Sequence, residues 1–186
     1  MKKYELTTET KEVFGRTLHR IRALIDYADI KAGELGGWIK KEDNLAQEGD
    51  AWVYDDASVF GDAQVFGNAQ VSDDAWVCDN AQVFGNARVF GNARVFDNAW
   101  VCDCACVFGD AHVSGRAWVS GDAQVFGNAQ VYGYAFVRTF ATKSPEGIMC
   151  RSNAPEGNLA RGIFTGSQSP EGVSCRSNTK KFQTSI

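Results

Sequence analysis

Histidine is scarce in this 186-residue chain, which contains only His19 and His112. A zinc site made of three histidines is therefore excluded. The chain also lacks an apolar run of about 18 residues, and its first residues do not place an apolar stretch after a basic one. The sequence accordingly predicts neither a membrane-spanning helix nor a secretory leader, and we expect a cytoplasmic protein.

Other residue types are missing from one long stretch, residues 51–141. It contains no lysine, and its ten acidic residues and four arginines make a poor surface for nucleic acid. Its one threonine is Thr139, which excludes the flat ranks of threonine that bind ice. The six cysteines of the chain are expected to be reduced thiols, because no leader directs the chain to an oxidising compartment.

What this stretch does contain is a six-residue repeat. Alanine recurs at every sixth residue from Ala51, and valine follows it two residues later, over fifteen units that end at Phe140 without an insertion. A period of six fits neither a helical turn nor a heptad, but it fits a short strand followed by a tight corner. The pattern predicts a β-solenoid in which each valine points inward and its two neighbours point outward.

The two residues before each alanine encode the corners. The first is Gly in nine of fourteen corners and Asp in five, and the second is Asn or Asp in eleven. These residues tolerate positive φ or bond their own backbone in turns. All ten acidic residues of the repeat lie at these two positions, so turn chemistry explains them better than mimicry of nucleic acid does.

Three six-residue edges make one triangular coil, so the fifteen units predict about five coils. This pattern resembles the left-handed parallel β-helix of the hexapeptide-repeat superfamily, and the left hand is implied by that resemblance alone. We therefore predict an all-β fold, a single-stranded left-handed parallel β-helix over residues 51–141 with an irregular N-terminal cap.

Residues 1–50 break the six-residue phase and are predicted to form a cap and an irregular first coil, because an open solenoid end leaves strand edges unpaired. Thr17–Ile25 is predicted to form a strand or a short helix, of which the strand is favoured. Gly33, Gly36 and Gly37 are expected to mark a tight turn. The run from Arg20 to Ala57, with its GGWI and GDAWVY steps, is similar to the YdcK-type hexapeptide-repeat proteins of bacteria and prophages. That resemblance implies the fold and brings no established activity.

Residues 142–186 hold all three prolines of the chain and two copies of a segment that begins SPEG and ends CRSN. Their apolar content is thin, and Ser, Asn, Gly and Pro dominate. This composition predicts a loose or disordered C-terminal tail.

The superfamily resemblance implies acyl transfer as one activity. Its acyltransferases use a histidine at a trimer cleft as the general base, and a loop that protrudes from the coils shapes the acyl-donor site. His112 is the one histidine of the repeat and lies at an outward strand position. However, no loop interrupts the coils, and other units carry Gln, Arg or Trp at this position, so an ordinary surface residue is the other interpretation.

Three closely spaced cysteines, Cys102, Cys104 and Cys106, have the chemistry to bind a soft metal. Cys102 and Cys106 lie on either side of a corner and Cys104 lies in the turn between them, so we expect their side chains to diverge. The sequence therefore predicts no metal site, and no cofactor is expected.

Outward aromatic residues are the most prominent surface feature of the repeat. Units one coil apart align Phe90, Phe108 and Phe126 in one column, and they align Trp100, Trp118 and Phe136 in another on a different face. Such columns either stabilise the solenoid as stacked rings or form an interface for sister subunits or a ligand.

The leading hypothesis is a non-enzymatic binding or scaffold protein that acts through the β-helix surface or through clefts between subunits. We expect a homo-oligomer, with a trimer favoured by the superfamily resemblance, and a protein partner or small ligand, but no nucleic acid and no membrane. One alternative is a hexapeptide-type acyltransferase that uses His112. Another is a phage accessory protein that sequesters a nucleotide signal or blocks a host defence factor.

Overall fold

Three strands outside the repeat begin the fold. In the computed structural model, which describes residues 2–138, β1 (Tyr4–Val13) and β2 (Arg16–Ala23) form an antiparallel hairpin. The third strand, β3 (Leu35–Ile39), pairs antiparallel with β2 and is followed by a short 3-10 helix at Glu42–Asn44. The strand predicted within Thr17–Ile25 is confirmed as β2, whereas no pattern in the sequence analysis predicted β1.

The glycines near β3 have two different roles. Gly33 has a φ of 90° and lies in the turn before β3. Gly36 and Gly37 instead lie inside β3, so the prediction that they mark a turn was wrong. A Cβ on Gly36 would lie 2.6 Å from the carbonyl oxygen of Val53, and one on Gly37 would lie 2.7 Å from that of Ala57. These two glycines therefore allow β3 to lie directly against the first regular coil.

Each unit of the repeat forms one two-residue strand, made of the valine and the residue before it. Strands one coil apart pair in parallel, as where Trp100 lies opposite Trp118. The fifteen strands are β4 (Trp52–Val53), β5 (Ser58–Val59), β6 (Gln64–Val65), β7 (Gln70–Val71), β8 (Trp76–Val77), β9 (Gln82–Val83), β10 (Arg88–Val89), β11 (Arg94–Val95), β12 (Trp100–Val101), β13 (Cys106–Val107), β14 (His112–Val113), β15 (Trp118–Val119), β16 (Gln124–Val125), β17 (Gln130–Val131) and β18 (Phe136–Val137).

These strands form three sheets, one along each side of the solenoid. The first has eight strands in the order β1-β2-β3-β5-β8-β11-β14-β17, and the other two have the orders β16-β13-β10-β7-β4 and β18-β15-β12-β9-β6. β3 pairs in parallel with β5, and Leu45 forms a parallel bridge to Val65. Residues 35–50 thus supply part of a further coil, and the solenoid has about six turns rather than the five expected from the repeat alone.

The interior and the corners follow the repeat. Its described alanines and valines are all buried, and most have no exposed surface. All fourteen first corner residues have positive φ, from 63° to 72° at the nine glycines and from 49° to 60° at the five aspartates. An aspartate in this conformation is strained, but several carboxylates accept a hydrogen bond from the backbone N–H one coil further on, as Asp97 does from Gly115 at 2.9 Å.

The β1–β2 hairpin covers part of the solenoid surface. Its tip residue Phe14 lies with its ring centroid 5.2 Å from that of Trp76 and 6.5 Å from that of Phe60. Phe60 follows the valine of its unit, as the aromatic residues of the Phe90 column do, but the hairpin leaves it only 1% exposed. At the other end of β1, the ammonium of Lys3 donates to the carbonyl oxygen of Ala51 at 2.9 Å, and burial lowers its pKa to about 8. The hairpin is thus attached to the first coils at both ends.

Two expectations are not tested by these residues. The loose tail predicted for residues 142–186 lies outside the described part of the chain, and the division into a cap, a repeat and a tail stays a prediction. Within residues 2–138, no helix is long and apolar enough to cross a membrane.

Candidate functional site

The sequence-predicted residues lie on all three outer sides of the solenoid. We call the side formed by β5, β8, β11, β14 and β17 the first face, that of β4, β7, β10, β13 and β16 the second face, and that of β6, β9, β12, β15 and β18 the third face. His112 lies on the first face, the Phe90 column follows the strands of the second, and the Trp100 column lies on the third. The structure therefore does not bring these three groups together in one site.

His112 sits in the middle of its column on the first face. It lies in register with Arg94 one coil before it and with Gln130 one coil after it, and its ring centroid is 6.4 Å from that of Phe96. Partial burial, assisted by the positive charge of Arg94 and opposed by Asp110, holds the pKa of this imidazole below its usual value of 6.5. The side chain is therefore mostly neutral at pH 7, which is the form that accepts a proton.

The hairpin tip stands on the same face as His112. The guanidinium of Arg94 lies 4.7 Å from the ring centroid of Trp76, and Phe14 contacts the same indole. The order along the first face is therefore hairpin tip, Trp76, Arg94 and His112. The sequence predicted no loop inserted into the repeat, and it did not predict this wall. The signal for the wall in the sequence is the Phe14-Gly15 step between two strands.

The aromatic columns align as predicted. Phe90 stacks on Phe108 with 4.8 Å between centroids, and Phe108 stacks on Phe126 at 5.2 Å. In the other column, Trp100 and Trp118 meet edge to face at 5.2 Å, and Trp118 meets Phe136 in the same way at 5.5 Å. The alignment is confirmed, and the use of either column as an interface stays a prediction.

The third face also carries a continuous aromatic ridge that the column analysis did not show. Phe66 stacks on Phe84 at 4.9 Å, and Phe84 contacts Trp100 at 6.2 Å, where the Trp100 column continues the ridge. The ridge passes from the Phe66–Phe84 column to the Trp100 column because small side chains continue the first column. These small residues lie two positions after Trp100 and Trp118 in the chain. Those residues are Cys102 and Ser120, at a position where seven of the fifteen units have Phe. A small residue there makes room for a neighbouring indole.

Cys102→Phe is expected to destabilise the protein by about 1–3 kcal/mol, because an added ring would overpack the space below Trp118. The Cys102 side chain is 2% exposed, and the indole N–H of Trp118 points at its sulfur over 3.0 Å. Denaturant unfolding measures the change, with Ser72→Phe as the control. Ser72 has the same position in its unit as Cys102, two residues after Gln70, and it is partly exposed, so a ring has room there. Equal losses in the two variants would contradict this packing account.

An open groove of about 590 Å³ runs beside the exposed tryptophans of the third face. Its lining includes the two indoles, the Arg116 guanidinium and three side-chain amides. The lining residues are Asn80, Gln82, Asn98, Trp100, Arg116, Ala117 and Trp118. Side-chain amides beside exposed ring faces can orient a polar ligand that also has an apolar surface.

The three closely spaced cysteines differ in their exposure to solvent. Cys102 is buried, Cys104 is exposed and Cys106 is half-buried. Burial raises the pKa of both the Cys102 and the Cys106 thiols. Within residues 2–138, no three His, Cys, Asp or Glu side chains are grouped in a way that would hold a metal ion.

Comparison with known proteins agrees with this repeat geometry. A family profile described as YdcK Beta solenoid repeat matches residues 63–79, 81–95 and 87–103. Residues 63–103 thus contain repeats of the YdcK β-solenoid type. It is also 40% identical over 63 residues to a protein of Escherichia coli (strain K12) named "Uncharacterized acetyltransferase YdcK", over 30% of this chain and 19% of that protein. The chain therefore spans about a fifth of the length of the curated relative that it matches.

The YdcK repeats that match the profile contain only part of the surface described above. They end at residue 103, so they include Trp100 and Cys102 but neither His112 nor Trp118. The similarity to YdcK repeats therefore supports the solenoid repeat, and it assigns no role to individual outward side chains.

Proposed function

We propose that this chain is an acyltransferase in which His112 acts as the general base. The observation that carries this proposal is a mostly neutral, half-buried imidazole on the first face beside Arg94. The name of the E. coli relative, an acetyltransferase, supports the same class of reaction. No loop protrudes from the described coils on this face, but the hairpin tip forms a wall outside them.

The reaction is transfer of an acyl group from a thioester to a hydroxyl or amine. The imidazole of His112 takes the proton from the acceptor as its oxygen or nitrogen attacks the thioester carbonyl carbon. A C–O or C–N bond forms, the C–S bond breaks, and the proton passes from the imidazolium to the departing thiolate. The positive charge of Arg94 disfavours protonation of His112 and so favours the neutral imidazole, which is the reactive form of the base.

A homo-oligomer, with a trimer as the favoured state, forms part of this proposal. His112 is only partly buried in one subunit, and a neighbouring subunit packed over the first face would exclude water from it. The Phe90, Phe108 and Phe126 stack on the second face offers a partly exposed apolar strip for such packing. Native mass spectrometry of the full chain measures the number of subunits.

The test of the reaction uses the full chain with acetyl-CoA and a panel of primary amines and sugars. Release of the free thiol is measured with and without each acceptor. We expect release that depends on one class of acceptor and saturates with the donor. If no acceptor raises thiol release above the rate without protein, and acetyl-CoA does not bind at about 1 mM, the proposal is wrong.

A second candidate is a binding or scaffold protein that acts through the third face. The observation that favours it is the exposure of Trp100 and Trp118, which are 38% and 40% exposed although tryptophan is usually well buried. This candidate predicts loss of a bound partner in Trp100→Gln with Trp118→Gln, without loss of acyl transfer. Gln is the residue that Gln82 already provides at this position, so the fold is expected to persist.

A further inference from the structure

The side-chain amides that line the groove on the third face lack the hydrogen bonds that most amides at the other corners of the solenoid form. Asn80 and Asn98 occupy the second corner position in successive coils. The backbone N–H of Asn80 donates to the backbone carbonyl oxygen of Asp97 at 2.8 Å. Their side-chain amides bond to no other residue in the described part of the chain. Both amides line the groove, and so does Gln82. The groove thus offers donors and acceptors that the fold itself does not use.

Three of the four amides at the two other corners form side-chain hydrogen bonds along the solenoid, and the fourth, Asn128, has none within residues 2–138. Asn68 donates to Asn86 at 3.0 Å, and Asn92 donates to Asp110 at 2.9 Å. Side chains with the same backbone geometry therefore can form a ladder, but those beside the tryptophans do not. Their free amides coincide with the two most exposed indoles of the repeat.

The charges around the groove disfavour an anionic ligand. Arg116 is its one cationic side chain, and its guanidinium is already held by Tyr134, to whose hydroxyl it donates at 3.1 Å. The carboxylates of Asp79 and Asp97 lie at the same corner, one residue before the two asparagines. The two carboxylates outnumber the single guanidinium, which is already hydrogen-bonded, so the groove would repel a phosphate or a polyanion.

From this arrangement we infer that the groove is a binding site for a neutral oligosaccharide. A pyranose ring has an apolar C–H face that packs on an indole, and its hydroxyls both donate and accept hydrogen bonds, as amides do. Successive coils present Asn80 and Asn98 at a regular step along the groove, so neighbouring rings of an extended glycan meet equivalent amides. The site lies on a different face from His112, and it does not depend on acyl transfer.

The experiment titrates the full chain with maltotriose and with triacetylchitotriose, followed by tryptophan fluorescence. ATP serves as an anionic aromatic probe. We expect a saturable change with at least one trisaccharide at up to about 10 mM and a weaker one or none with ATP. Absence of any change with both trisaccharides, or tighter binding of ATP, would overturn the inference.

Two matched variants locate the site, with affinity measured by calorimetry. Asn98→Asp removes an amide donor and adds a negative charge, and it should weaken saccharide binding by at least about tenfold. Asn86→Asp makes the same exchange at a corner away from the groove and should leave the affinity unchanged. Asn86 accepts a hydrogen bond from Asn68, and the Asn92–Asp110 pair at the remaining corner shows that an aspartate can accept the equivalent bond. Equal effects of the two variants, or none from Asn98→Asp, would place binding elsewhere and sink the proposal.

Discussion

Replacing His112 by glutamine is expected to lower acyl transfer by at least about 100-fold, because the variant lacks a group that takes the acceptor proton. The fold should not change, since Gln130 already occupies the equivalent outward position one coil away. The measurement is kcat/KM with the acceptor found in the thiol-release assay. Gln64→Ala, at the same repeat position on the third face, is the control and should retain full activity.

The pH dependence of the same rate tests the environment of His112. The imidazole acts in its unprotonated form, so the rate should rise with pH and level off above the pKa. Burial and Arg94 hold that pKa below the usual value of 6.5, so the midpoint should lie below 6.5. Arg94→Gln removes a positive charge and should shift the midpoint upward, because the protonated form is then less disfavoured.

Arg88→Gln is the control for this shift, because Arg88 lies on the second face and should leave the midpoint unchanged. A midpoint above 6.5 in the unchanged protein would mean that a different group limits the rate. A midpoint that stays unchanged in Arg94→Gln would likewise mean that a group other than His112 limits the rate. Full activity in His112→Gln would remove His112 from the mechanism altogether.

The solenoid could be predicted from the sequence because its rules are local and repeated. Each valine, alanine and corner glycine has the same surroundings in every coil, so one period determines the fold of residues 51–138. The corner at Asp97 and Asn98 illustrates this, since its positive φ follows from the residue type alone. Alignment of Phe90 with Phe108 also follows from the coil length.

The cap and the surroundings of His112 could not be predicted in the same way. The hairpin occurs once, and its tip contacts Trp76, which lies 62 positions after Phe14 in the chain. No period relates two such residues, so only their packing reveals that they meet. The groove depends likewise on which amides remain unpaired. Asn68–Asn86 and Asn80–Asn98 are the same pair of residue types one coil apart, and only the first pair is hydrogen-bonded, so the sequence does not distinguish them.

Gly36→Ala is expected to destabilise the cap by about 3 kcal/mol or more. Three atoms surround the position where the new Cβ would lie: the Val53 carbonyl oxygen at 2.6 Å, and Ile21 Cγ1 and Trp52 Cζ2 at 2.7 Å each. Both a backbone atom of the first coil and a fully buried indole would have to move. Relief of this overlap requires β3 to separate from the coil, which would break its pairing with β5.

Amide hydrogen exchange shows where this destabilisation acts. In a repeat protein each coil is stabilised mainly by its neighbours, so protection should fall in β1, β2 and β3 and persist in β11 to β17. Gly15→Ala is the comparison, because no atom lies within 4 Å of its Cβ position and only its φ of 69° opposes alanine. That variant should cost about 1 kcal/mol. A loss of the same size in both variants would mean that conformational strain, rather than contact with the first coil, explains the need for glycine at position 36.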